Sequence, residues 1–335
     1  MNFEKFLQAV DTHTVGEPTR IIITGLPPLR GGSIMEKKQD MEARYDWIRK
    51  VQNLEPRGHA DMFGAFLLEP SSREADFGVI FSDSGGYLNM CGHGTIGVAT
   101  MLVEMGYVPK IEPYTELVLE APAGLIKTKV AVKQGRVESV TLTNVPSFVY
   151  KKGCTVTLPG VGPVNFDISF GGSFFALVHA SQFKMQIRRE DLSALISHSL
   201  KLRDIINETI PMKHPLLPIS TVDLIEIYDA PTNPKADGKN VVIFGNGNVD
   251  RSPCGTGTCA KLAYLYAEGK IGLNQPYVHE SILGSTFEGK IVEETMVGDF
   301  KAVIPQITGS AYITGINQLF IDDRDPYKHG FLLSV

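Results

Sequence analysis

Two stretches of this chain, centred on Cys91 and Cys254, repeat one another in register 163 residues apart. The first runs Gly85-Gly86-Tyr87-Leu88-Asn89-Met90-Cys91-Gly92-His93-Gly94-Thr95-Ile96-Gly97. The second runs Asp250-Arg251-Ser252-Pro253-Cys254-Gly255-Thr256-Gly257-Thr258-Cys259-Ala260-Lys261. Phe81 and Phe244 each stand ten residues ahead of their cysteine, and Gly106 and Gly269 each fifteen behind it. Both stretches read as an apolar strand, a glycine-rich loop, a cysteine, a buried helix and a glycine stop. In the first, residues 98–105 are apolar all round and hold no Pro or Gly, as a buried helix requires. The repeat confines the chain to folds built from two related halves, each with one thiol at a helix N-terminus. There the unpaired backbone N–H groups and the positive end of the helix dipole favour an anion. A thiol so placed is expected to lose its proton more readily than a free one. Either stretch alone also fits a structural cysteine in a glycine-rich turn; the register between them favours function.

A chain of 335 residues suits two domains better than one core. Its formal net charge of −5 comes without a basic cluster, which argues against nucleic acid as a partner. No apolar run is long enough to span a membrane. The opening Met1-Asn2-Phe3-Glu4-Lys5-Phe6-Leu7-Gln8 carries acid early and lacks a hydrophobic signal core. The four cysteines, at 91, 154, 254 and 259, are too few for a disulfide framework and fit reduced thiols in a cytoplasmic protein. Cys154 reads as incidental and Cys259, inside the buried helix, as core.

Strands are expected over residues 6–11 and 19–24, joined by the turn-like run 13–18, and again over 65–68 and 77–81. Met41, Tyr45, Ile48 and Val51 give 36–51 a helical stripe that Pro56 ends. Residues 114–132 and 136–143 form strands with turns at Ala123-Gly124 and Gln134-Gly135, and the domain boundary is placed near 127. The first domain is therefore expected to hold residues 1–127 with a return of about 319–335, and the second 128–318. In that second domain strands at 164–168 and 174–178 flank Gly171-Gly172, a polar helix covers 190–207, and strands follow at 222–228 and 241–244. The end is strand-rich, at 277–283, 287–294, 300–304 and 310–321. One polar and one buried helix per half, among many strands, predict two α+β domains, each wrapping a curved sheet around its buried helix.

Related halves that present equivalent thiols can place them on opposite faces of one substrate. Inversion at a carbon acid needs a base on one face and an acid on the other, and cysteine serves both roles. Each sulfur would come within about 3–3.5 Å of the carbon, setting the thiols about 6–7 Å apart around it. Helix N-termini supply N–H donors for a carboxylate whose charge grows as the carbanion forms. Zinc is a rival, but Cys91-x-His93 and Cys254-x4-Cys259 match common ligand spacings poorly. The runs 245–248 and 255–257 make neither a dinucleotide nor a phosphate loop. A redox thiol pair and a non-catalytic binding module stay open on spacing alone.

The motifs around Cys91 and Cys254 resemble the two active-site signatures of the proline racemase family. That family also holds 4-hydroxyproline 2-epimerases and trans-3-hydroxyproline dehydratases. Asp11-Thr12-His13-Thr14, Glu55-Pro56-Arg57-Gly58-His59, Asp167-Ile168-Ser169-Phe170-Gly171-Gly172 and Ile307-Thr308-Gly309-Ser310-Ala311-Tyr312 extend the likeness over nearly the whole chain. The resemblance implies the diaminopimelate epimerase-like fold: two pseudo-symmetric domains with a central helix in each and the active site in the cleft between them. It implies no pyridoxal phosphate or other cofactor, no metal, and a homodimer.

Position by position, the resemblance makes Cys91 and Cys254 the acid/base thiols. It gives the substrate carboxylate to the backbone amides of Gly92, His93, Gly255 and Thr256, and the ring nitrogen to the side chains of His93 and Asp250. Phe63 and Phe244 line the pocket around the pyrrolidine ring. A loop histidine satisfied by backbone, a helix-capping Asp250 and two core phenylalanines are the structural alternatives. Arg57, His59 and Asp61 read as scaffold for the cleft, and Cys259 departs from the serine of the family pattern. Dehydratases carry Thr where this chain has Cys254, so dehydration is disfavoured. A buried ring hydroxyl against two phenylalanines would cost about 1–3 kcal/mol without a partner. The expected substrate is therefore proline, with 4-hydroxyproline as the alternative.

Overall fold

The computed structural model describes residues 5–333. The chain divides into two compact units, Met1–Leu142 with Gly309–Val335, and Thr143–Thr308. The first opens with β1 (Lys5–Thr14), β2 (Glu17–Thr24), α1 (Ile34–Asn53), β3 (Gly64–Leu68) and β4 (Phe77–Ser82). It continues with β5 (Tyr87–Leu88), α2 (Gly92–Glu104), β6 (Tyr114–Ala121), β7 (Gly124–Lys133) and β8 (Arg136–Thr143). The second holds β9 (Ser147–Leu158), β10 (Gly162–Phe170), β11 (Phe174–His179), α3 (Leu192–Thr209), β12 (Val222–Asp229) and β13 (Gly238–Phe244). After them come β14 (Asn248–Val249), α4 (Gly255–Ala267), β15 (Tyr277–Glu280), β16 (Thr286–Val297) and β17 (Phe300–Gly309). The chain then returns to the first unit as β18 (Ala311–Ile321).

Strand pairing carries the repeat. In the first unit the order is β18-β1-β2-β3-β4-β6-β7-β8, with β2–β3 and β4–β6 parallel and the other steps antiparallel. In the second it is β9-β10-β11-β12-β13-β15-β16-β17, with parallel steps at β11–β12 and β13–β15. There β17 returns to β9 through Ala302↔Phe148 and Val303↔Ser147, so the ring of strands closes. Each parallel step falls where a helix interrupts the chain, as parallel neighbours require a crossover. The result is the expected α+β fold of the diaminopimelate epimerase kind.

A helix inside such a ring has no polar face to offer. All of α2 except Glu104 is buried, and α4 buries residues 257–263 together with Gly255. Close approach explains its glycine neighbours: a Cβ at Gly171, in the β10–β11 turn, would meet the Thr256 carbonyl oxygen at 2.1 Å. The outer helices are amphipathic. α1 starts on Ser33, whose Oγ accepts from the Glu36 N–H at 3.2 Å, and buries Met41, Ile48 and Val51.

The structure moves three sequence boundaries. Residue 127 lies inside β7, which is zipped to β6 and β8, so the break falls at 142/143 and the return at 308/309. The turn between the first strands shrinks to Val15 and Gly16, both with positive φ, because His13 and Thr14 still pair with β18. β9 had no sequence signal: its middle, Lys151-Lys152-Gly153, is exposed, and its buried residues Ser147, Phe148, Cys154 and Leu158 keep no regular alternation.

Candidate active site

Cys91 is the N-cap of α2. Its backbone is extended (φ −147°, ψ 122°), and Sγ accepts from the Gly94 N–H at 3.2 Å. The Thr95 hydroxyl donates to the Cys91 carbonyl at 2.7 Å. Beside the sulfur stands His93, with Nδ1 at 3.3 Å and Nε2 at 3.8 Å. Thr14 Oγ1 donates to the His93 carbonyl at 2.8 Å, and Phe63 packs its ring edge-on to the imidazole at 4.4 Å. Burial pushes the imidazole down to about 3, opposed by its bond to the Pro18 carbonyl, so the ring is neutral at physiological pH. A neutral ring keeps one nitrogen lone pair, a proton acceptor within reach of the thiol. The ring of Phe81 closes the underside, 2.8 Å from where a Cβ on Gly94 would stand.

Cys254 is the N-cap of α4, and here the backbone is strained: φ is +59° and ψ 112°. Sγ accepts from the Gly257 N–H at 3.4 Å and lies 3.7 Å from Thr256 Oγ1. Asp250 does not cap α4. Its Oδ1 accepts from the Ser252 N–H at 2.8 Å and Ser252 Oγ at 2.7 Å, while Ser252 Oγ accepts from the Cys254 N–H at 3.1 Å. The carboxyl thus shapes the loop, and the cap position belongs to the thiol. Burial raises Asp250 above the usual carboxylate range.

The expectation of an acidified thiol fails at Cys254. Burial and the Asp250 carboxyl push it well above an ordinary cysteine, and the Gly257 N–H only partly offsets them. Helix-terminus stabilisation of an anion is a surface-strength effect, and desolvation outweighs it here.

The first unit therefore gathers Cys91, Gly92, His93 and Phe63, and the second Cys254, Gly255, Thr256 and Asp250. The amides of Gly92 and His93, and those of Gly255 and Thr256, are the first of their helices, where no intrahelical acceptor exists. Phe244 is half-buried at the end of β13, paired with Asn248. Arg57 acts as scaffold within its own unit, donating to the Lys328 and Phe320 carbonyls at 3.1 and 2.9 Å. Cys154 and Cys259 are both buried. Thr14, Ser252 and Thr258 hold the two loops; all three lie within the sequence motifs, which do not mark these roles. Among the described residues no helix is long and apolar enough to cross a membrane.

Two α+β units, each wrapped around a central helix capped by a cysteine, have the diaminopimelate epimerase-like fold. A family model described as proline racemase matches residues 9–332. The chain is 57% identical over 334 residues to proline racemase of Clostridioides difficile, covering 99% of this chain and 100% of that one. It is 52% identical over 333 residues to proline racemase of Acetoanaerobium sticklandii, covering 99% of each. Among solved structures, a hydroxyproline epimerase of Agrobacterium vitis with bound trans-4-OH-L-proline superposes with a TM-score of 0.91 at 33% identity, over 99% of this chain and 97% of that one. The chain belongs to the proline racemase family and is an isomerase.

Proposed function

We propose that this protein interconverts L- and D-proline without a cofactor, with Cys91 and Cys254 as base and acid on opposite faces of the α-carbon. The observation that carries the reading is that both thiols occupy the same place, the N-cap of the central helix, in two units of matching strand order. One sulfur, as thiolate, takes the α-proton and becomes a thiol. The other gives its proton to the opposite face and becomes the thiolate. Charge leaving the α-carbon spreads into the carboxylate, where the amides of Gly92, His93, Gly255 and Thr256 stabilise it. The neutral His93 and the Asp250 carboxyl take the ring nitrogen. A cationic nitrogen beside Asp250 would favour its ionised form.

Proline is the substrate because Phe63 and Phe244 offer a ring hydroxyl no partner; 4-hydroxyproline is the competing substrate. The protein acts as a homodimer in the cytoplasm on this reading, and sedimentation of the purified chain tests the first part. Polarimetry on metal-stripped protein tests the reaction: L-proline should lose its rotation fully. A requirement for added pyridoxal phosphate or metal overturns the reading, and turnover confined to 4-hydroxyproline replaces the substrate.

A further inference from the structure

Behind Cys254 lies a group of buried polar side chains that the reaction as written does not use. Glu226, on β12, is fully buried, and the Asn240 side chain on β13 is the polar neighbour within hydrogen-bonding reach of its carboxyl. His279, on β15, is fully buried as well, and its Nε2 is without a hydrogen-bond partner, 3.9 Å from Glu226 Oε1. The tautomer of His279 follows from its other side. With the single proton of Thr258 Oγ1 assigned to the Pro253 carbonyl at 3.1 Å, the 3.0 Å contact with His279 is a bond from Nδ1–H to Oγ1. Neutral His279 then aims a lone pair at a carboxyl oxygen. Two buried polar groups facing each other at 3.9 Å in a dry interior are tolerable together when the carboxyl is protonated and uncharged.

Glu226 and the thiol also share a neighbour. A Cβ on Gly257 would stand 2.9 Å from Glu226 Oε2 and 3.2 Å from Cys254 Sγ. The Pro253 carbonyl, one residue ahead of the strained Cys254, accepts from Asn240 Nδ2 at 2.8 Å in addition to Thr258. We propose that Glu226 and His279 are positioning residues for Cys254: the uncharged carboxyl packs behind His279, which holds Thr258, which pins the Pro253 carbonyl and so the strained thiol-bearing residue. The inference rests on the reading of Cys254 as an acid/base thiol. Burial favours the protonated Glu226 that this arrangement needs, and it keeps His279 neutral.

The charged and titratable groups around Glu226 are few. Lys261 and Cys259 face it from α4, the Lys261 Nζ 3.0 Å over the Tyr228 ring. Asn240 faces it from β13, His279 and Tyr277 from β15, and Tyr228 from its own strand. Cys254 in turn faces Asp250, Thr256 and Glu226. When alkaline solution removes the Glu226 proton, a carboxylate stands behind Cys254 and holds the thiol proton more tightly. The second thiol therefore ionises against a partner, in two coupled steps rather than one.

The test is iodoacetamide alkylation of the whole enzyme from neutral to alkaline pH, with Cys91 and Cys254 resolved by peptide mass. In wild type the Cys254 rate should lag a single-thiol curve as pH rises. Glu226→Gln cannot ionise yet still offers an N–H to His279, so it should label Cys254 up to about tenfold faster at alkaline pH, the equivalent of one unit in thiol pKa. Cys91 labelling should not change. An unchanged ratio of Cys254 to Cys91 labelling at every pH overturns the proposal. Should the variant fail to fold, a wild-type Cys254 curve of one simple titration overturns it equally. Racemisation by Cys254→Ser at wild-type rate would instead sink the two-thiol reading and leave the labelling result standing.

Discussion

The two thiol caps share a backbone address and differ in almost everything beneath it. Each cysteine is 6% exposed and accepts from the N–H three residues on. Under Gly94 lies the Phe81 ring; under the equivalent Gly257 lies the Glu226 carboxyl. Thr95 grips the carbonyl of Cys91 itself, whereas Thr258 grips that of Pro253, one residue earlier, as the turned backbone of Cys254 requires. Leu119 pairs with Phe77 where His279 pairs with Gly238, and β3 carries no charged residue where β12 carries Glu226. A duplicated fold thus keeps the thiol in place while its support diverges from apolar to ionisable. The lesson is that two cysteines at equivalent positions need not be chemically interchangeable.

The bluntest way to break the comparison is to remove each sulfur in turn. Cys91→Ser and Cys254→Ser should each lower racemisation by about a thousandfold or more, since a serine hydroxyl is too weak an acid/base at neutral pH. Circular dichroism would show both variants folded. Near wild-type turnover in either variant would mean that the caps are not functional equivalents.

The supporting threonines give a smaller and asymmetric effect. Thr258→Val removes one of two donors to the Pro253 carbonyl beside a strained residue, at a cost of about 1 kcal/mol. Misplacement of the thiol should lower kcat about tenfold with KM little changed. Thr95→Val acts on a relaxed, extended cap and should cost less. Equal losses would show that the strain at Cys254 has no bearing on turnover.

What the sequence disclosed follows the same division. The register of Cys91 with Cys254, the apolar helices behind them and the glycine stops are local patterns, and they led to the two-unit fold and the thiol positions. Glu226 and His279 carry no such pattern. They meet through the β12–β13 and parallel β13–β15 pairings, which bring together residues distant in sequence. The raised proton affinity of Cys254 was hidden for the same reason, since desolvation depends on burial and not on spacing. The boundary near 127 went astray because Ala123-Gly124 reads as a break but is a hairpin tip between β6 and β7. Asp250, five residues ahead of α4, looked like a helix cap and instead holds Ser252.

The two phenylalanines sharpen the comparison on the substrate side. Phe63 is buried against His93, whereas Phe244 is half-buried at a strand end. Replacing either with serine should weaken proline turnover and raise relative activity on trans-4-hydroxyproline, by about tenfold for a pocket contact. Phe63→Ser should also cost stability through the lost packing. Unchanged preference in both variants would show the rings to be core only.

The smallest effect concerns the residue two places beyond each thiol, His93 in one half and Thr256 in the other. Burial holds His93 neutral, lowering it from 6.5 to about 3. Below pH 6.5 the unfolded chain therefore takes up a proton that the folded protein refuses. The sign is fixed by that difference: His93 lowers stability progressively as pH falls from 6.5 toward about 3, and contributes nothing above that range. His93→Gln has no ring to protonate, so its melting temperature should fall less steeply than wild type across the same window. Thr256→Val, which changes no titrating group at the matching position, should leave the slope unaltered. Parallel wild-type and His93→Gln curves would mean that the folded protein accepts the proton after all. The polar difference between the two caps would then extend to the first thiol as well.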